Sequence, residues 1–119
     1  MIIHLAVVAL RAADLPGAAH FYRDVLGLPV IAHHSGHRPH FRVGKTYLVL
    51  LEGQPDPPAG EPAGRSPRVA FAVDDLETCI DRLYCHGVDL PWGIERDSSA
   101  RWVMFYDPAG NLVALVQFL

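Results

Sequence analysis

Apolar and polar positions along this chain run through the same periods twice. Val8-Ala9-Leu10-Arg11-Ala12-Ala13-Asp14-Leu15 leads into an apolar stripe that ends at Gly27, and Val69-Ala70-Phe71-Ala72-Val73-Asp74-Asp75-Leu76 leads into a similar stripe that ends at Gly87. Each opening reads as a strand followed by a capped helix. Asp14 stands as N-cap before Leu15-Pro16, where a first-turn proline loses nothing by lacking an N–H. Ala18, Phe21, Tyr22, Val25 and Leu26 keep helical spacing, and Gly27 supplies the left-handed residue that stops the helix. In the second copy Asp75 caps, Leu76, Cys79, Ile80 and Leu83 form the stripe, and Gly87 ends it.

Extended stretches separated by turn residues follow each helix. In the first half they are Leu28 to His33, a Ser35-Gly36 turn, His40 to Val43, a Gly44-Lys45 turn, and Thr46 to Leu51. In the second they are Val88 to Trp92, Arg101 to Tyr106, the Asp107-Pro108-Ala109-Gly110-Asn111 turn, and Leu112 to Phe118. The segment from Gly53 to Pro67 holds five prolines and three glycines, so it reads as a semi-rigid connection rather than helix or central strand. The pattern predicts one domain over 1–119: a βαβββ module over about 1–53, a linker over about 53–67, and a second module over about 68–119. A supersecondary unit used twice cannot bury its sheet face alone, which places the expected binding site between the copies.

Composition narrows the function classes. The 119 residues are 50% hydrophobic and 19% charged, enough for one real core and incompatible with disorder. A net charge of −3 without basic runs offers no footprint for nucleic acid. No apolar run approaches the roughly 20 residues that span a bilayer, and Met1-Ile2-Ile3-His4 lacks the basic start of a signal peptide, so a cytoplasmic protein without membrane contact is expected. Cys79 and Cys85 lie six positions apart, on different faces of the predicted helix and about 9 Å along it. That spacing does not suit a disulfide, and both read as packing residues.

Asp14-Leu15, the Phe21-Tyr22-Arg23-Asp24-Val25-Leu26-Gly27-Leu28 stretch and Asp107-Pro108-Ala109-Gly110-Asn111 together resemble the vicinal oxygen chelate superfamily. That superfamily includes glyoxalase I, bleomycin-resistance proteins, extradiol dioxygenases and fosfomycin-resistance enzymes. The resemblance covers nearly the whole chain and implies an α+β fold, in which paired βαβββ modules form a curved mixed sheet around a cleft, commonly in a homodimer. It is a poor guide to chemistry, because fold and function separate widely in such families.

The resemblance also implies where a divalent metal would sit. One ligand, commonly His, lies seven residues before the capping acid of each half, which here gives Val7 and Arg68. The others, often Glu, lie on the last strand of each half: Ala114 in the second, and Leu48 or Leu50 in the first. Val, Leu and Ala offer no donor atom, and a permanently charged guanidinium repels a divalent cation. The expectation is therefore a cleft without a metal and without a cofactor.

Other histidines and acids give no ligand set. His4 lies three residues before Val7, on the opposite face by alternation, and Glu52 sits at a strand end beside Gly53. His33, His34, His37 and His40 surround the Ser35-Gly36 turn, where they form either a solvated loop or a weak metal-holding hairpin.

The candidate ligand-binding residues are Arg68, Phe105, Arg101, Trp92, Leu50, His40 and Glu52. Arg68 either faces the cleft and clamps an anionic oxygen, or snorkels at the strand entrance and pairs with Glu52. Phe105 and Trp92 are either cleft walls or core. Three functions are consistent with these residues. One is metal-free binding of a small organic molecule, anionic where Arg68 meets it; a bulky cationic drug such as bleomycin would favour an acidic groove instead. The second is a lyase, isomerase or dioxygenase with an atypical site, in which His40 or Glu52 is the base and Arg68 stabilises an enolate; no catalytic residue is otherwise identified. The third is a dimer module whose cleft is filled.

Overall fold

The computed structural model describes residues 1–31, 39–55 and 65–119. The first half contains β1 (Val7–Ala12), α1 (Leu15–His20), β2 (His40–Val43) and β3 (Thr46–Glu52). The second contains β4 (Val69–Ala72), α2 (Leu76–Cys85), β5 (Glu95–Arg96), β6 (Ala100–Tyr106) and β7 (Leu112–Phe118). The fold is α+β, with a three-stranded sheet in the order β1-β3-β2 and a four-stranded sheet in the order β4-β7-β6-β5. In each sheet the strand before the helix pairs in parallel with the last strand of its half.

The capping acids do what their positions predict. The Asp14 side chain accepts from the Gly17 N–H at 3.1 Å, and the Asp75 side chain accepts from the Thr78 N–H and hydroxyl. Beyond His20 the first helix widens into a π-type turn over Phe21–Val25. That turn sends Phe21 against Phe105 of the second sheet and Tyr22 against Phe41 of the first, with ring centroids 6.1 Å apart in each case. The two halves therefore share one core. Leu10, Leu48, Leu50 and Phe41 meet Val103, Phe105, Val113 and Leu115 around the two helices.

Strands shortly after the helices depart from the expected spans. Val88 to Trp92 is not a strand: the Val88 N–H is taken by the Leu83 carbonyl in a helix-ending turn, Pro91 has no N–H to give, and Gly93 turns at φ 62°. The edge strand forms instead at Glu95–Arg96. In the first half the corresponding stretch contributes one bridge, Val30 to Phe41, and the expected Ser35-Gly36 turn lies outside the described residues. Most of the proline-rich connection lies outside them as well. Both cysteines are free. No helix among the described residues is long and apolar enough to cross a membrane.

Candidate functional site

Each sheet has a face that joins the shared core and a face turned away from it. On the first sheet the register Val7↔Tyr47, Ala9↔Val49, Arg11↔Leu51, with His40↔Val49 and Arg42↔Tyr47, gathers those eight residues on the outer face. On the second sheet, Ala70↔Ala114↔Met104 and Ala72↔Val116↔Trp102 lie on the outer face, and Arg68 hands its N–H to the Leu112 carbonyl in the row shared with Tyr106. The positions that the resemblance singled out, Val7, Arg68 and Ala114, all stand on these outer faces.

The fourth such position can be assigned from the register. Ala114 pairs with Ala70, two residues after Arg68; the residue that pairs two after Val7 is Val49. Leu48 and Leu50, the expected pair for this place, point the other way and are 2% and 0% exposed in the core. Leu50 therefore leaves the candidate set. The substitution of Val49 changes the residue but not the chemistry. Val, Val, Arg and Ala present no lone pair to a metal, and among the described residues no three His, Cys, Asp or Glu side chains cluster.

Two further candidates are displaced. Phe105 is fully buried against Phe21, and Arg101, on the same strand face, forms an ion pair with Glu77 of α2 and donates to the Gln117 side-chain oxygen at 3.1 Å. The antiparallel register across the Asp107–Asn111 turn pairs Met104, not Phe105, with Ala114. That turn closes through a 2.9 Å bond from the Asp107 N–H to the Asn111 carbonyl. Counting outward from it gives the register directly, so the five-residue turn in the sequence already held the signal for Met104, Trp102 and Tyr106.

The remaining candidates are scattered. Arg68 is exposed, and no ion pair or side-chain hydrogen bond reaches it among the described residues. Trp92 packs on Tyr106 at 6.2 Å, with the Arg65 guanidinium 4.5 Å from the Trp92 ring centroid and ion-paired to Glu95. His40 lies on the outer face of the first sheet, away from Arg68's sheet. Glu52 ends β3 in solvent, where its backbone carbonyl accepts from Arg11 at 3.3 Å. His33, His34 and His37 lie outside the described residues.

A hollow of about 310 Å³ lies among Phe21, Val88, Pro91, Tyr106 and Pro108, and the spaces nearer the two sheets are smaller. A crevice of about 140 Å³ lies among Leu5, Val8, Leu48 and β4, and another of about 130 Å³ lies among Leu28, Phe71 and Cys79. Either is below the roughly 300 Å³ where small-molecule pockets begin. The outer face of the first sheet, by contrast, is open, with Val7 52% exposed and Tyr47 39%, whereas on the second Leu112 and Ala114 are buried and Arg68, Ala70 and Ala72 are exposed. The strands that border them, β1 and β4, are both sheet edges.

The whole-chain comparisons agree with this architecture. The family model described as Glyoxalase/Bleomycin resistance protein/Dioxygenase superfamily matches residues 2–115. Among solved structures, the chain is similar to TnmS3, an antibiotic binding protein from Streptomyces sp. CB03234, at 27% identity and a TM-score of 0.80, covering 99% of this chain and 98% of that one. A glyoxalase/dioxygenase from Nostoc punctiforme superposes with a TM-score of 0.82 at 19% identity, covering 98% and 91%. Lactoylglutathione lyase from Agrobacterium tumefaciens gives 0.75 at 24% identity, covering 98% and 95%. Of the curated proteins, none matches the chain.

Proposed function

The chain belongs to the glyoxalase/bleomycin resistance protein/dioxygenase superfamily, and from that premise we propose that it binds a small organic molecule without a metal, in a cleft formed between two copies of itself. The observation that carries this reading is the residue set at the superfamily's ligand positions: Val7, Val49, Arg68 and Ala114 keep their places on the outer sheet faces but hold no metal donor. At these four positions a glyoxalase or dioxygenase step through a bound metal finds no donor to hold the ion.

The second copy follows from where the faces lie. Inner faces of both sheets feed one core, and the crevice left within a chain between β1 and β4 is only about 140 Å³. Both outer faces are bordered by an unpaired edge strand, and next to β1 the side chains of Ile2, Ile3, Leu5 and Val7 are exposed. Setting β1 of one copy beside β4 of the other makes a continuous sheet and covers that apolar strip. The first sheet of one copy then forms one wall, the second sheet of its partner the other, and a homodimer has two such clefts. The likeness to an antibiotic binding protein supports binding as the activity.

The test has two arms on untagged protein. Elemental analysis after incubation with zinc, nickel, manganese and ferrous iron, then exhaustive dialysis, is expected to show no stoichiometric metal. A small-molecule fragment screen by ligand-observed NMR is expected to yield binders that the chain loses when Ala114→Trp fills the face. A retained metal near one per chain, or a screen without any binder, overturns the proposal.

A further inference from the structure

We infer that the molecule bound on the outer face of the second sheet is a flat aromatic carboxylate, its acid group held by Arg68 and its ring lying on Ala70 and Ala72. This rests on the reading above that the chain binds a small organic molecule on these faces, and it names the chemical class.

Three rows of side chains cross this face. Arg68, Leu112 and Tyr106 form the first, Ala70, Ala114 and Met104 the second, Ala72, Val116 and Trp102 the third. Four residues of strand separate the first row from the third, about 13 Å at strand rise. The alanines make the β4–β7 half of the face low, while Met104 and Trp102 stand along the β6 side as a wall. Ala114 is 3% exposed beneath its neighbours, whereas Ala70 and Ala72 are exposed, on the edge strand that also borders the crevice beside Leu5 and Val8. A depression floored by methyl groups and walled by a thioether and an indole accepts a planar ring and excludes a branched body.

Charge decides what the ring carries. Arg68 stands at one end of the depression with its donors unclaimed among the described residues. The acid on this face, Glu95, is neutralised by Arg65, which also stacks on Trp92 beside Tyr106. The outer face of the first sheet, the opposite wall in a dimer, adds Arg11 and Arg42 and no carboxylate among the described residues. A planar guanidinium with two parallel N–H groups free matches a carboxylate in bidentate geometry. The Trp102 indole N–H is buried beneath this face without an acceptor among the described residues, so the carboxylate is left to Arg68.

The probes are naphthalene-2-carboxylate, the matching carboxamide and the matching aminomethyl cation, titrated into the full chain by isothermal calorimetry and by tryptophan fluorescence. The carboxylate is expected to bind at least about tenfold tighter than the amide, with the cation weakest. Arg68→Met, which keeps length and apolar stem, is expected to equalise carboxylate and amide without weakening the amide. Equal affinities for carboxylate and amide in the natural chain overturn the anion assignment while leaving small-molecule binding intact. Retention of the carboxylate preference in Arg68→Met also overturns it, as does failure of all three probes to bind; whether any small molecule binds is decided separately by the fragment screen.

Discussion

The Tyr22 phenol donates a 2.6 Å hydrogen bond to Asp107, 85 positions further along the chain, and ties the first helix to the turn between β6 and β7. Both groups are buried, at 0% and 4% exposure. The same carboxylate accepts from the Ala109 and Asn111 N–H groups and from the Asn111 side-chain amide, which also donates to the Arg11 carbonyl at the end of β1. One buried acid thereby joins α1, the β6–β7 turn and β1, and it sets how the two sheets face.

Removing the hydroxyl tests that joint. Tyr22→Phe keeps the ring against Phe41 and deprives the Asp107 carboxylate of one donor. The expected loss is about 2 kcal/mol, because a buried charged acceptor loses a partner that water does not replace. Urea unfolding measures it; an unchanged midpoint would mean that the bond is made equally well by solvent.

Alkaline titration reads the same residue differently. Burial, reinforced by the neighbouring Asp107 charge and hydrogen bond, raises the Tyr22 phenol well above its ordinary value near 10. In the unfolded chain the proton leaves near pH 10; in the folded chain it stays. Stability is therefore full below pH 10 and declines as pH rises beyond it. Tyrosinate absorbance at 295 nm should show one phenol that ionises only together with unfolding, and Tyr22→Phe should remove that late step.

Acid has the opposite sign at the surface. Thr78 holds the Asp75 cap below the usual carboxylate range, the Arg101 guanidinium does so for Glu77, and the Ser99 N–H does so for Asp97. Their stabilisation is complete above the ordinary value near 4 and is lost as pH falls through the depressed ones. Melting temperature should hold from pH 7 to 5 and drop below 4. Asp75→Ala should flatten part of that drop and lower the melting temperature at pH 7 through the lost helix cap.

Restoring donors tests the assignment of Val49. The four-residue variant Val7→His, Val49→Glu, Arg68→His, Ala114→Glu should retain about one divalent ion per chain after dialysis, four donors being the usual number for zinc. The same variant built with Leu50→Glu in place of Val49→Glu should retain none and fold poorly, since it buries a carboxylate in the core.

Placing a charge beside the edge tests assembly. Val7→Asp puts a carboxylate on the exposed strip next to β1, where a second copy would cover it. Sedimentation velocity should show a dimer for the natural chain and a monomer for the variant, with far-ultraviolet circular dichroism unchanged.

The sequence was legible where a residue's role is local. Asp14 and Asp75 announce the helix starts, unbroken apolar runs announce β3 and β7, and Asp107 to Asn111 announces the turn that joins the last pair. It was less legible where a role depends on which strand lies alongside. Leu50 and Val49 are neighbours in sequence, and only the parallel pairing with β1 decides which of them faces outward. Phe105 and Arg101 were misplaced for the same reason, a one-residue shift in face. The widened turn at Phe21 leaves no mark in a helical stripe, because Phe21, Tyr22 and Val25 keep apolar spacing in either helix geometry.

The open borders of β1 and β4 have a consequence for quality control inside a cell. Each half presents the unpaired margin of its first strand, and these two margins differ, so every copy carries both ends of a connector. If two copies engage reciprocally, the chain of connections shuts after a single round and neither of these margins remains to recruit a third. If a copy is tilted so that only one margin is met, its other margin stays available, and addition can continue into a filament. The joint at Asp107 fixes the angle between the margins. A lesion there is expected to appear as insoluble polymer before it appears as lost binding.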